Sequence, residues 1–429
     1  MEKFDVIVVG GGLAGLSAAY CLAKDGAGVL VVERGDYSGA KNVTGGRLYL
    51  NPVREVLPDI WEQAPLERYV ARERISLMGA SSSVSIELSS ERFRQKPYHS
   101  YTILRGRFDR WLADKVAKAG GMVVTKNKVD DLILEDGKVK GIVAGGDNVY
   151  ADVVLAADGV MSQMAEKAGL RASRNPRDFA VSVKEVIELA PQTIEARFNL
   201  KEGEGLAETF VGSLTKGMFG GGFLYTNISS LSLGIVVRIL DLMAKDPPVE
   251  LPQLLEDFKL RPEISRLIAG GETIEYSAHV IPEGGINTLP RLYSDGILLA
   301  GDAAGFALNT GLTVRGMEFA IASGVLAAKA IKIARSKNDF SSESLSSYES
   351  LLRESFVLKD LHTFKNAPRF FDNPRLFTLY PQTVCDVMEK LMLIEDKPKK
   401  KMSSTVFREI RSKLGLLPVL KDALRAFRI

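Results

Sequence analysis

The sequence predicts an α/β protein: a Rossmann-like nucleotide-binding domain, an inserted antiparallel-sheet substrate domain, and a mostly helical C-terminal region. Three observations carry this prediction. A glycine-rich turn separates two apolar runs near the N-terminus, in "FDVIVVGGGLAGLSAAYCLAKDGAGVLVVERG". Late in the chain the apolar run Ile297 to Ala300 leads into Gly301-Asp302. Between them, "FAVSVKEVIEL", "SLSLGIVVRIL" and "TIEYSAHVIP" alternate with the two-residue period of half-buried strands. The expected boundaries are 1–75, 100–175 and 285–335 for the discontinuous nucleotide domain, 76–99 and 176–284 for the sheet domain, and 336–429 for the helical region.

In the first element, Gly10, Gly12 and Gly15 make the G-x-G-x-x-G spacing. Gly10 permits the tight turn, Gly12 admits a pyrophosphate to the backbone, and Gly15 lets the helix lie close on the strand. The following helix turns unpaired N–H groups and its positive dipole end toward phosphate, with Leu13 and Ala14 in the cradle. Glu33 closes the second strand, where a carboxylate accepts hydrogen bonds from a ribose hydroxyl and repels a 2′-phosphate. This unit fits the ADP half of either FAD or NAD.

The late acidic turn favours FAD. A nicotinamide dehydrogenase needs no second Gly-Asp strand end, whereas FAD extends beyond its pyrophosphate into a ribityl chain and a three-ring isoalloxazine. Asp302, beside Gly301, suits a ribityl hydroxyl or a phosphate-side water. A helix expected to start at Gly311, with Leu312 and Thr313, aims N–H groups at the flavin and stabilises its anionic reduced form. "VVLAADGVMS" adds a third strand end, at Asp158. "TILRGRFDRWLADKVAKAG" predicts an amphipathic helix from Arg105, a cofactor-facing cation, and the strand and hairpin that follow let Val129 offer backbone to adenine.

Bulk properties narrow the class. The 429 residues are 46% hydrophobic and 25% charged, which suits two or three globular domains. A net charge of +3 gives no reason to expect nucleic acid. Two cysteines, Cys21 and Cys385, supply neither a disulfide framework nor a four-thiolate iron–sulfur cluster, and a reducing compartment fits them. No second dinucleotide fingerprint follows a strand, so a separate NADH domain is not expected. His99, His279 and His362 lack ligand-spaced partners, and no metal is expected. No apolar run approaches the roughly 20 residues of a membrane span. The stretch "SSESLSS" from 341 reads as a loop.

The tail carries a different signal. Residues 397–429 hold ten Lys or Arg against Glu409 and Asp422, with Phe407, Ile410, Leu414, Leu417, Leu420, Leu424 and Phe427 at helical steps interrupted by Pro418. Such a basic amphipathic segment suits an anionic bilayer surface, or else an acidic subunit or the core.

With the flavin turns placed, longer stretches become informative: "GAKNVTGGRLY", "SYTILRGRFDRWL", "AVSVKEVIEL", "GMFGGGFLYTN", "EYSAHVIPEGG", "AGDAAGFALNTGLTVRGMEFAIAS" and "NPRLFTLYP". Across nearly its whole length the chain resembles the electron-transfer-flavoprotein:quinone oxidoreductase family, and within it the short bacterial members of FixC (EtfC) type. The resemblance implies an FAD that takes electrons from a reduced electron-transfer flavoprotein and delivers them to a membrane quinone. It implies a cytoplasmic protein held peripherally at the inner face of the cell membrane. Long members carry a C-terminal four-cysteine cluster domain, so a small ferredoxin-like iron–sulfur partner is expected here. By the same resemblance Thr44 and Gly45 line the flavin, and Gly221, Gly222, Phe223 and Tyr225 form the quinone side. Glycines let a flat ring approach backbone, and aromatic groups cover its apolar face. Electron transfer itself requires no acid–base residue, and none is named. A flavin monooxygenase, a geranylgeranyl-type reductase and a flavin-holding scaffold subunit remain compatible with the same motifs.

Overall fold

The computed structural model describes residues 3–41, 45–172 and 174–429, in two compact units. The first comprises Met1–Glu67, His99–Asp178 and Val280–Lys365. Its elements are β1 (Lys3–Val9), α1 (Leu13–Lys24), β2 (Val29–Val32), α2 (Arg105–Lys118), β3 (Met122–Val124), β4 (Asp147–Ala156), β5 (Ile297–Leu299) and α3 (Met317–Lys337). The strands lie in the order β5-β4-β1-β2-β3, all parallel. Val6 to Val8, Val153 to Ala156 and Ile297 to Leu299 are shut off from solvent. Such uninterrupted apolar strands are what a parallel sheet covered on both faces requires. A hairpin, Val129–Glu135 and Lys138–Ala144, continues antiparallel from β4.

The three motif turns follow β1, β4 and β5, which are neighbours. All three therefore fall at the carboxyl end of one sheet, where open α/β sheets hold their ligands. Helix α3 lies on α1 with no side chain between them at one point. A Cβ on Gly324 would overlap the Ala14 carbonyl oxygen.

The second unit comprises Arg68–Tyr98, Phe179–His279 and Asn366–Ile429. Its sheet runs Glu272–Pro282, Phe179–Glu188, Ser230–Arg238, Gly220–Thr226, Glu204–Gly212, Tyr69–Met78, with Ser83–Ser89 paired to the last. One face buries Val183, Ile187, Leu224, Leu233 and Ile235 against Leu254, Leu255, Phe258 and Ile264 of the following helices. Arg68, 2% exposed, ties this unit together by donating to the carbonyls of Asn227, Glu204 and Ile228 and pairing with Glu195 at 3.0 Å.

Three expectations need correction. The sheet is not wholly antiparallel, because Glu204–Gly212 pairs parallel with Tyr69–Met78; that strand arrives from a separate excursion of the chain, free of hairpin geometry. The units also divide elsewhere than at 75/76 and 335/336. Strand Tyr69–Met78 belongs whole to the second unit through this pairing, and Ser347–Glu354 and Phe356–Thr363 belong to the first. Finally, no helix starts at Gly311. Gly301–Ala304 is a single 3-10 turn, Leu308–Asn309 and Val314–Arg315 form a small hairpin, and α3 begins only at Met317.

The tail forms Leu379–Met392, Met402–Lys413 and Leu416–Ala426. Pro418 lies in the first turn of the last helix, where its missing N–H costs no hydrogen bond, so it starts that helix rather than breaking it. Glu409 and Asp422 are both buried, Glu409 against Lys390 and Lys413, Asp422 against Arg375 and the Tyr380 hydroxyl. The tail thus turns its acids inward. Its apolar residues Leu417, Leu420, Leu424 and Phe427 stay exposed, Phe427 at 89%.

Candidate functional site

The turn after β1 is shaped by what cannot fit there. Gly10 has φ +104°, and a Cβ on it would overlap the Ala157 carbonyl oxygen. A Cβ on Gly15 would overlap the Gly10 carbonyl oxygen and stand 2.9 Å from Val8 Cγ1. Both positions therefore admit only glycine, and α1 starts hard against the strand end. Gly12 is the N-cap, and no side chain caps the helix. Its first N–H groups, from Leu13 and Ala14 onward, are left for an outside acceptor.

Glu33 lies at this end, 9% exposed. Its carboxylate accepts from Gly11 N–H at 2.8 Å and Gly35 N–H at 2.6 Å, each oxygen keeping further lone pairs. Ser38, which sequence reasoning missed, completes the corner. Its buried Oγ has no hydrogen-bond partner among the described residues, and a Cβ on Gly11 would stand 2.6 Å from it. A backbone cradle, a fixed carboxylate and an orphaned hydroxyl are the donor and acceptor set that an adenosine diphosphate end needs. The backbone of Val124 to Asn127 hydrogen-bonds to Glu33 and Gly35 and leads into Val129, itself 6% exposed.

The second and third turns are laced together by a residue the motifs do not contain. Arg171 donates to the Val160 carbonyl at 2.9 Å and the Ala303 carbonyl at 2.8 Å. Asp158 accepts from Ser162 Oγ at 2.6 Å and Met164 N–H at 3.2 Å; burial raises its pKa, and those hydrogen bonds offset part of the rise. Asp158 therefore anchors its own turn. Ser323 of α3 accepts the Gly301 N–H at 3.0 Å, fixing the late turn to that helix. A lone arginine in a loop and a single serine in an alanine-rich helix carry no periodic signal that would have found these contacts.

Asp302 feels Arg105, the first residue of α2. Burial pushes the Asp302 carboxyl up, and Arg105 holds it partly down. Burial opposes the charge on Arg105, but its bidentate pair with the fully buried Asp109, 2.8 Å on both arms, outweighs it and raises the guanidinium pKa. The turn therefore faces a permanent cation, a setting suited to ribityl hydroxyls and phosphate. Beyond it, Gly311 (φ +80°), Leu312 and Thr313 form the exposed tip of the hairpin, with Leu312 at 69% exposure. Arg315 at its base pairs with buried Glu318 and with Asp360, both at 2.6 Å. Burial raises the Glu318 pKa, and Arg315 opposes the rise. Gly45 is buried with φ +72°, while Thr44 lies outside the described residues.

In the second unit the ring-face residues are divided. Phe223 and Tyr225 share one face of the sheet, stacked at 5.2 Å and 22°. Gly222 points to the other, where a Cβ would stand 2.9 Å from the Phe258 ring; a Cβ on Gly221 would overlap the Phe210 carbonyl oxygen. Among the described residues there is no cluster of three metal-ligating side chains, and no helix is long and apolar enough to cross a membrane.

Comparison with known proteins gives the family. Residues 5–89 match a family of FAD dependent oxidoreductases, and residues 367–429 match the ETF-QO/FixC family C-terminal domain. The chain is 44% identical over 424 residues to a probable electron transfer flavoprotein-quinone oxidoreductase, YdiS, of Escherichia coli, covering 99% of this chain and 98% of that protein. It is 40% identical to the protein FixC of Azorhizobium caulinodans over 97% of both. Among solved structures, a geranylgeranyl bacteriochlorophyll reductase-like protein from Thermoplasma acidophilum aligns with a TM-score of 0.73 at 24% identity, over 99% of this chain and all of that one. A myxobacterial FAD-dependent halogenase, CndH, aligns with a TM-score of 0.67 at 18% identity, over all of this chain and 98% of its own. These two likenesses show the shared fold. The cofactor is FAD, and the chain is an FAD-dependent oxidoreductase.

Proposed function

Because this chain belongs to the ETF-QO/FixC family, we propose that it passes electrons from a reduced electron-transfer flavoprotein, working with a small ferredoxin-like subunit, to a membrane quinone. The observation that carries the quinone reading is the stacked Phe223–Tyr225 pair on a strand that opens with three glycines. An offset aromatic pair covers a flat apolar ring and is worth about 0.5–1.5 kcal/mol beyond area alone. The name of the Escherichia coli relative, which pairs an electron-transfer flavoprotein with a quinone, supports it.

Bound FAD supplies a two-electron carrier that also releases electrons singly. The protein's part is positioning. The N–H groups at the start of α1 hold the pyrophosphate, Glu33 and Ser38 hold the adenosine ribose, and Asp302 with Arg105 holds the ribityl side. Gly45 and the tip Gly311–Thr313 edge the ring. The outward-facing tail, basic and apolar once Glu409 and Asp422 are turned inward, seats the protein on the anionic inner face of the cell membrane.

One experiment tests both halves. Chemically reduced full-length holoprotein is mixed anaerobically with a water-soluble quinone, or with a long-chain quinone in anionic vesicles, and flavin reoxidation is followed. Both quinones are expected to reoxidise it. Deleting residues 402–429 should leave the soluble reaction intact and slow the vesicle reaction about tenfold or more, the loss expected from several apolar and basic contacts. Reoxidation by oxygen but by neither quinone would refute the function.

A further inference from the structure

The first turn of α3 holds a carboxylate in a costly place. Glu318 is fully buried. Its Oε1 accepts from Arg315 Nε at 2.6 Å, and its Oε2, also buried, has no hydrogen-bond partner among the described residues. Arg315 already has a second acid, Asp360, at 2.6 Å, and its guanidinium lies 4.7 Å from the Phe319 ring centroid. The Asp360 side chain stays 31% exposed, so one acid of the pair remains hydrated while the other is taken wholly out of water. A glutamine at 318 would accept the same hydrogen bond without burying a charge.

The segments around this carboxylate are those assigned to the flavin ring. Met317 packs on Gly46, where a Cβ would stand 3.1 Å from Met317 Cε, and Gly46 follows Gly45 in the chain. Less than a turn along α3, Ala320 meets the late turn, since a Cβ on Gly301 would stand 3.5 Å from Ala320 Cβ. Arg315 itself lies at the base of the hairpin that carries Gly311–Thr313. The charged groups around Glu318 are Arg315, Arg47 on the strand Gly46–Tyr49, and Asp360 across Arg315. Arg47 is itself bonded to Ser100 and His99, each at 3.1 Å. The turn Gly301–Ala304 and the helix Asn51–Arg54 also pack on α3; they bring Asp302, answered by Arg105, and Arg54. Burial favours the neutral Glu318 acid, while Arg315, its own backbone N–H and Arg47 favour the ionised one. A new negative charge nearby tips that balance.

We propose that Glu318 takes up a proton when the flavin is reduced and returns it when the flavin is reoxidised. The inference rests on the placement of the ring along Gly45 and the tip Gly311–Thr313; it requires no particular electron donor or acceptor. Two electrons and one proton added to FAD leave one negative charge on its ring. A second proton passes from water to Glu318, COO⁻ becoming COOH, and reoxidation reverses both changes. The anion gained on the ring is thus matched by one lost beside it, so the charge of the buried site stays nearly constant.

The test is an anaerobic redox titration of FAD in the full-length holoprotein, followed by absorbance from acid to alkaline pH. No quinone or partner protein enters it, so the electron-transfer reading stands or falls separately. The wild-type midpoint potential should fall more steeply with pH than that of Glu318→Gln, with one more proton per two electrons. The steeper stretch should begin at the raised pKa of the oxidised state and end at the higher one of the reduced state. A proton held about tenfold more tightly in the reduced state leaves the wild type about 30 mV below the variant at alkaline pH, with no difference at acid pH. In infrared difference spectra, reduction of the wild type should raise a protonated-carboxyl band that shifts in D₂O and is missing from Glu318→Gln. If Glu318→Gln loses its FAD, Glu318→Asp takes its place, and the band should move in frequency. Parallel slopes with a constant offset, or a band that neither variant alters, overturn the proton uptake and leave the ring beside Glu318. Identical potentials at every pH overturn the placement of the ring as well.

Discussion

The two nucleotide-facing turns begin alike and then diverge. Each leaves a buried parallel strand through a glycine of positive φ, Gly10 or Gly301, and each lies at the carboxyl end of the same sheet. After Gly10 the chain enters α1 at Leu13, with no room for any Cβ at Gly15. After Gly301 it makes one 3-10 turn, a hairpin with an exposed tip, and reaches α3 only at Met317. A compact dianion needs a rigid cradle of N–H groups, which a helix start abutting its strand provides. A long flat ring needs a margin to lie along, and an irregular segment pinned at both ends provides that instead. Ser323 and Arg171 pin it at one end, Arg315 at the other.

Four substitutions would break or sharpen this contrast. The largest effect is expected at the rigid turn. Gly15→Ala places a methyl inside the Gly10 carbonyl, so purified protein should be misfolded or free of FAD, read from its absorbance ratio. Next comes the pin of the loose turn. Arg315→Met leaves Glu318 buried without its guanidinium and should cost about 3–5 kcal/mol in urea unfolding, part of which Glu318→Gln restores in the double variant. The same pair has a pH signature. Burial holds the Glu318 pKa above its unfolded value, so the native state binds the extra proton. Stability from this group should fall as pH rises from the ordinary carboxylate range through the raised pKa, and Glu318→Gln should flatten that slope. The smallest effect is expected at the tip. Gly311→Ala strains a positive φ at an exposed position, costing about 1 kcal/mol with FAD retained, as a small shift in melting temperature would show. An equal loss of FAD from Gly15→Ala and Gly311→Ala would erase the distinction between the turns.

Much of this was legible in the sequence because it depends on local rules. Gly10, Gly15 and Glu33 are set by a strand–turn–helix–strand unit whose spacing is fixed by geometry, and Asp302 by a strand end of the same kind. The start of α3 was misjudged for a local reason too. The stretch after Gly301 is small and apolar like a helix, yet Gly311 N–H donates to Asn309 Oδ1 and the Thr310 hydroxyl bonds to Thr313, closing a hairpin turn. What stayed hidden is long-range. The parallel pairing of Glu204–Gly212 with Tyr69–Met78 joins segments far apart in sequence, and Arg171 reaches Ala303 across a similar distance. Lys184 reads as one charge in a strand, and only the bare Gly234 beside it places it over an aromatic ring.

The point where α3 rides on α1 has a further meaning. Gly324 meets the Ala14 backbone within the first turn of α1, and Gly301 stands beside the Ala14 methyl, where a Cβ would come within 2.9 Å. One alanine is thus the shared bearing of both jaws of a caliper, whose opening is set by backbone contact and cannot drift with side-chain motion. The spacing of the two turns along the ligand-facing end of the sheet therefore follows from backbone contact.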